Sequence, residues 1–188
     1  LSSKMMMKWT TLVLIFCVTI LSNFGQGSRL ILVAGPFLMD GDFYVRMEAR
    51  DIICVLSTKA GLVAMVRSIR RKVDSSDPIT RDMTARTFAL VGKTLGVCNI
   101  LPFVQAICAK QTNCDVRLTG VLIVRYIASE IGFSILPFLL NFVSCIKTGL
   151  MSKETHIRIA TALSLAQLAV SAYPHGDSAF LSVLPQLW

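Results

Sequence analysis

The stretch Asp115–Pro137, DVRLTGVLIVRYIASEIGFSILP, decides how this chain is read, because its parts recur along the sequence. An arginine follows a β-branched residue, an apolar helical run follows the arginine, a glycine ends that run, and Leu-Pro opens the next one. A step of 15 positions separates Arg117 from Gly132, Arg46 from Gly61 and Arg81 from Gly96, and a stretched step of 18 separates Arg158 from Gly176. Self-similarity at a period of a few tens of residues marks an architecture of stacked units, each burying its apolar face against its neighbour.

Working outward from that stretch, proline suits the first turn of a helix and glycine the position after its last, so the chain beyond residue 28 divides into alternating helices. Arg29–Met39 is a short helix, Asp40-Gly41-Asp42 a turn with capping aspartates, and Phe43–Lys59 the partner helix, closed at Gly61. Leu62 to about Lys72 and Ile79–Leu95 form a second pair around the polar segment Asp74–Pro78. In the latter helix Met83, Phe88, Val91 and Leu95 share an apolar face, and Arg81, Asp82 and Lys93 are expected to look outward. Ile100–Lys110 and Val116–Ile131 are the third pair. A helix containing Pro137 and the partner Glu154–Ala172 are the fourth, the latter expected to be the longest, with Ala160, Leu163, Ala166 and Leu168 suited to close packing. Asp177–Trp188 begins a fifth. The fold class is therefore all-α, a solenoid of about four antiparallel helix pairs over residues 27–188, preceded by a separate apolar segment, 1–26. The segments at the two ends, WTTLVLIFCVTIL and FLSVLPQLW, lack the polar outer face of a terminal cap, so a longer array is expected.

Of the 188 residues 54% are hydrophobic, and mean hydropathy is +0.64, which leaves membrane insertion or a run of mostly buried helices. A spanning helix needs about 20 apolar residues. Residues 9–22 are shorter and follow Lys4 and Lys8; with translation from Met5 they read as a secretory signal, which would make the chain a secreted or membrane-attached helical protein. Ile131–Ile146 is interrupted by Pro137 and Asn141 and reads as a helix of the repeat. The net charge of +8 favours a polyanionic partner, and Arg67, Arg70, Arg71, Lys72 and Arg125 are the residues best suited to direct contact. The first four also suit a helix C-terminus.

The arginines Arg46, Arg81, Arg117 and Arg158 have two readings. They can bind phosphates, or they can hold turn carbonyls or a neighbouring aspartate in a ladder along the stack. Their equivalent internal positions favour the ladder. Six cysteines without C-x-x-C spacing, three of them (Cys54, Cys108, Cys145) inside apolar helices, read as buried free thiols rather than a zinc site. Val91-Gly92-Lys93-Thr94 resembles the end of a phosphate loop, but Thr87 stands where the loop needs glycine. His156 and His175 have no carboxylate pair arranged for metal or acid–base work. No enzyme activity, cofactor, metal or small-molecule substrate is expected.

Helix pairs that open near Leu-Pro and carry Val-Arg or Ile-Arg at the start of the second helix resemble HEAT repeats. The segments MDGDFYVRMEARDIICVLSTKAGL (39–62), TARTFALVGKTLG (84–96), ILPFVQAIC (100–108), RLTGVLIV (117–124), ILPFLLNFVSCIKTGL (135–150) and VLPQLW (183–188) narrow this further. Together they resemble the family of the largest HEAT-repeat subunit of splicing factor 3b, part of the U2 snRNP. The resemblance runs from about Gly27 to Trp188 and not through residues 1–26. It implies a nuclear, non-catalytic scaffold in pre-mRNA splicing that helps hold the duplex of snRNA and intron, with other splicing factor 3b subunits and U2 snRNP proteins as partners. It also implies an RNA-facing role for Arg81. Leu118, Leu122 and His156 stand where that family places basic side chains, so of these three only His156 remains as an RNA candidate. The family's branch-adenosine pocket belongs to later repeats. A decayed paralogue without a partner is a further alternative.

Overall fold

A computed structural model describes residues 27–109 and 113–187, and every regular element within them is helical. The chain is all-α in these residues. The signal-like reading of residues 5–25 lies outside them. The chain divides into two compact units, Leu1–Arg71 and Lys72–Trp188. The boundary separates the two helices assigned to the second pair.

In the first unit, α1 (Gly27–Ala34) runs into a 3-10 turn, Gly35–Met39, that carries Pro36. Asp42 then caps α2 (Phe43–Arg70): its carboxylate accepts the Tyr44 N–H at 2.7 Å, and its own N–H donates to Asp40 Oδ1 at 2.8 Å. The two helices expected on either side of Gly61 are joined through that residue, whose φ of 76° and ψ of 166° break the helix. A side chain rarely tolerates this conformation, and glycine adopts it freely. Ile31, Leu38, Ile52, Ile53, Leu56 and Met65 are buried in this unit.

In the second unit Asp77 caps α3 (Pro78–Leu95), α4 (Val97–Cys108) follows Gly96 directly, and Asn113 caps α5 (Cys114–Ile131). A 3-10 segment, Gly132–Phe138, leads to α6 (Leu139–Ile146), and a second, Lys147–Met151, precedes α7 (Thr155–Ala172). The short helices α8 (Asp177–Phe180) and α9 (Leu184–Leu187) complete the unit. Helix α5 packs between α3 and α7, with α4 against α5 and α6 against α7.

Polar contacts fix the direction of the stack. Arg81 and Asp115 pair at the starts of α3 and α5, and Lys93 and Glu130 at their ends, 3.4 Å apart. Ser164 and Ser171 of α7 donate to the carbonyls of Val121 and Ala128 on α5, at 3.1 and 2.9 Å. Thus α3, α5 and α7 run side by side in the same direction. The core of this unit takes Phe88 from α3, Ile123 and Ile127 from α5, Ile100 from α4, Ile135 from the 3-10 segment and Phe142 from α6, all buried.

Several expectations are corrected. Arg81 does not look outward; it is 7% exposed. The helix expected over Ile131–Ile146 is α-helical only from Leu139: Gly132, with a φ of 53°, ends the preceding helix, and Gly132–Phe138 wind as a 3-10 helix. Helix α4 starts at Val97, not Ile100, and carries Pro102 inside it. Helix α7 is 18 residues long, no longer than α3 or α5. Its Leu163 and Ala166 are exposed, while Ala160 and Leu168 are buried. Among the described residues two segments, Phe43–Arg70 and Cys114–Met151, are long and apolar enough to cross a membrane by length and composition. The first is broken at Gly61 and the second at Gly132, both with positive φ.

Candidate nucleic-acid interface

Each repeating arginine sits three or four residues into its helix, close to the turn that precedes it. Arg46 Nη1 donates to the carbonyls of Asp40 (2.7 Å) and Gly41 (3.0 Å). Arg81 Nη2 donates to those of Ser75 (3.1 Å) and Ser76 (3.2 Å), and Arg158 Nη1 to those of Ser152 (2.8 Å) and Lys153 (2.9 Å). In all three the acceptors lie six and five residues before the arginine. A turn leaves carbonyls without helical partners, and a planar guanidinium has enough donors to hold two of them. The equivalent carbonyls for Arg117 belong to residues 111 and 112, outside the described residues. Among the described residues Arg117 Nη2 donates to Thr148 Oγ1 at 3.1 Å.

Arg81 also reaches across to α5, where its Nη2 meets Asp115 Oδ1 at 2.5 Å. Its Nε is buried and has no hydrogen-bond partner. Arg81 is thus largely enclosed, with three acceptors on one nitrogen. The structure places the other cations differently. Arg67, Arg70 and Arg71 are exposed in the first unit, and Lys72 is exposed in the second. Arg125 is half-buried on α5. His156 is exposed at the start of α7, with Nδ1 3.9 Å from Glu154 Oε2. Of the two leucines at positions where basic residues were expected, Leu118 is 8% exposed and belongs to the core, and Leu122 is half-buried.

The spacing-based reading missed a polar network between α3 and α5. Asp82 accepts from Arg86 Nε at 2.8 Å and from the Tyr126 hydroxyl, and the Arg86 guanidinium lies 4.5 Å from the centre of the Tyr126 ring. Burial and, after it, the hydrogen bond to Asp82 push the Tyr126 phenol up to about 12. The only sequence signal was the i,i+4 pair of Asp82 and Arg86 on one helix. Val91-Gly92-Lys93-Thr94 lies within α3, and its glycine has a packing role: a β-carbon at Gly92 would stand 2.2 Å from Ile100 Cδ1. The thiols expected to be buried divide, with Cys108 buried and Cys54 and Cys145 half-buried. Cys98 and Cys114 are exposed. Among the described residues no group of three or more His, Cys, Asp or Glu side chains could hold a metal ion.

No family profile matches the chain. Over 160 residues, 85% of its length, it is 44% identical to the U2 snRNP component prp10 of Schizosaccharomyces pombe. Over a stretch of the same length it is 39% identical to the U2 snRNP component HSH155 of Saccharomyces cerevisiae. It spans only 13% of the first relative and 16% of the second. Identity at this level, sustained over most of the chain, makes it a partial copy within the family to which these two U2 snRNP components belong.

Proposed function

We propose that this chain is a segment of a HEAT-repeat α-solenoid acting as a nuclear, non-catalytic scaffold in pre-mRNA splicing. In this role it supports branch-site recognition through other splicing factor 3b subunits, U2 snRNP proteins, and the intron and snRNA. The observation that carries the proposal is the 44% and 39% identity to two proteins named as U2 snRNP components. The parallel stacking of α3, α5 and α7 supports the solenoid. So does the outer face of α7, where Ile159, Leu163 and Val170 are 55, 47 and 72% exposed, with Tyr173, just past the end of the helix, 80% exposed. That face has the pattern of a helix awaiting a further pair, as an array several times longer would supply.

Phosphate contact is assigned to the exposed or half-exposed cations Arg67, Arg70, Arg71, Lys72, Arg125 and His156. Arg81 contributes chiefly by holding its turn and Asp115. For the test, residues 27–188 are joined to flanking repeats of a relative and used to capture proteins from nuclear extract. U2 snRNP proteins are expected in the captured material, and recovery of no spliceosomal protein would remove the functional reading. RNA affinity should fall as salt rises, and replacing Arg67, Arg70 and Arg71 with glutamine should flatten that slope.

A further inference from the structure

Helix α7 is apolar on both sides. Its packed side buries Ile157, Leu165 and Leu168, and there Ser164 and Ser171 donate to carbonyls of α5. On the other side, beyond the first turn, every exposed residue is apolar: Ile159, Ala162, Leu163, Ala166, Ala169 and Val170. No Asp, Glu, Lys or Arg stands between Arg158 and Asp177. A helix that keeps one side in water carries its charges there, so this side has the composition of a packed surface.

The spacing shows what kind of surface. Ala166 follows Ile159, Ala169 follows Ala162 and Val170 follows Leu163 by seven residues each, and Tyr173, exposed just past the helix, extends the first series. A seven-residue apolar repeat is the seam along which two helices pack side by side. Ala166 is its centre, both along the helix and around it. A second α7 laid antiparallel, with a two-fold axis beside Ala166, sets the two Ala166 residues together, Ala162 opposite Ala169, Leu163 opposite Val170 and Ile159 opposite Tyr173. Each of the last three contacts then occurs twice, as a two-fold interface requires. The alanines let the backbones approach on one flank, and Leu163 and Val170 fill the other.

Charge at the two ends selects the direction. Lys153 and Arg158 outweigh Glu154 where α7 begins, its last turn holds no basic residue, and Asp177 follows it. Antiparallel packing brings the basic, dipole-positive end of one helix to the acidic, dipole-negative end of the other; parallel packing would set like ends together. We propose that the chain forms a homodimer through the outer face of α7, two copies packing antiparallel about Ala166. The seam has far fewer side chains than the roughly 20–30 residues a side of a standard interface, so association is weak, with a Kd on the order of tens of micromolar. This inference rests on α7 alone and is independent of the role in splicing.

The test uses the full 188-residue chain. Sedimentation equilibrium should fit monomer and dimer with no larger species, because a two-fold interface closes on itself. Ala166→Glu puts two carboxylates at the axis and should weaken association at least tenfold, with circular dichroism unchanged. Register and direction are read by disulfide trapping in a chain with Cys17, Cys98 and Cys114 replaced by serine. With oxidised glutathione, Ala166→Cys should give a 166–166 link between copies by peptide mapping. A mixture of Ala162→Cys and Ala169→Cys chains should give the 162–169 link in excess over 162–162. A monomer at all concentrations up to ten times the expected Kd would overturn the proposal, as would an open series of larger species or an excess of the 162–162 link. So would an Ala166→Cys thiol that iodoacetamide reaches only after unfolding of a monomer, since the seam would then be covered from within its own chain.

Discussion

Arg81 holds two turn carbonyls of its own unit and a carboxylate 34 residues away while only 7% exposed. Replacing it with alanine strands Asp115 and frees both carbonyls, so Arg81→Ala should lose about 2–3 kcal/mol in chemical denaturation. Arg81→Lys should recover little of this, since a single ammonium cannot match the fork of a guanidinium. Arg46 has the carbonyls without the cross-helix partner. A loss as large in Arg46→Ala would show that the Asp115 link adds nothing. Tyr126 gives a second prediction. Its folded pKa, about 12, lies above its unfolded value near 10. The stabilisation it provides is therefore complete below pH 10 and is lost as pH rises from about 10 to about 12. The phenolate absorbance step near that upper value should be absent in Tyr126→Phe. Four equivalent arginines were legible from their spacing, because a repeat places like residues at like positions. The burial of Arg81 was not, because helical periodicity sets it beside Asp82 on a polar face and its partner is distant in sequence.

At the scale of elements, the glycine breaks and the capping aspartates of the 40–42 turn were the most readable features, whereas Asp77 and Asn113 were not read as caps. Asp42, Asp77 and Asn113 each accept a backbone N–H at a helix start, a consequence of short polar side chains meeting unpaired donors. The 3-10 segment around Pro137 was not readable, because an apolar run looks the same in either winding. Close approach between helices was hidden too, since it depends on which glycine meets which neighbour. Gly120 allows the end of α4 to lie against α5; an added β-carbon would stand 2.9 Å from Ile107 Cγ2 and 3.2 Å from the Cys108 nitrogen. Gly120→Ala should therefore cost about 1–3 kcal/mol through overpacking, despite its better helix propensity. A thermal shift near zero for this variant would mean that α4 moves aside freely.

At the scale of the whole molecule, the period disclosed that helices pair but not where the chain divides into two compact units. The junction at Arg71 and Lys72 falls inside a pair that pattern alone joined. The outer face of α7 has a consequence for behaviour in solution. Val170 is 72% exposed in the last turn of that helix, and Val170→Glu should reduce self-association in sedimentation velocity with helicity unchanged. An unaltered distribution of species would place the adhesive surface elsewhere. The arginine clamps, finally, bear on how such a chain can change length. From Asp40 to Arg46, Ser75 to Arg81 and Ser152 to Arg158 the interval is six residues each time. The four arginines themselves are separated by 35, 36 and 41 residues. The clamp acts as a ruler across the turn: one inserted residue there would carry a carbonyl beyond the guanidinium's reach. The intervals from Gly61 to Arg81, Gly96 to Arg117 and Gly132 to Arg158 are 20, 21 and 26 residues, so differences in length among copies of this fold should fall mainly upstream, in the first helix of each pair, with the longer step from Arg158 to Gly176 as the exception.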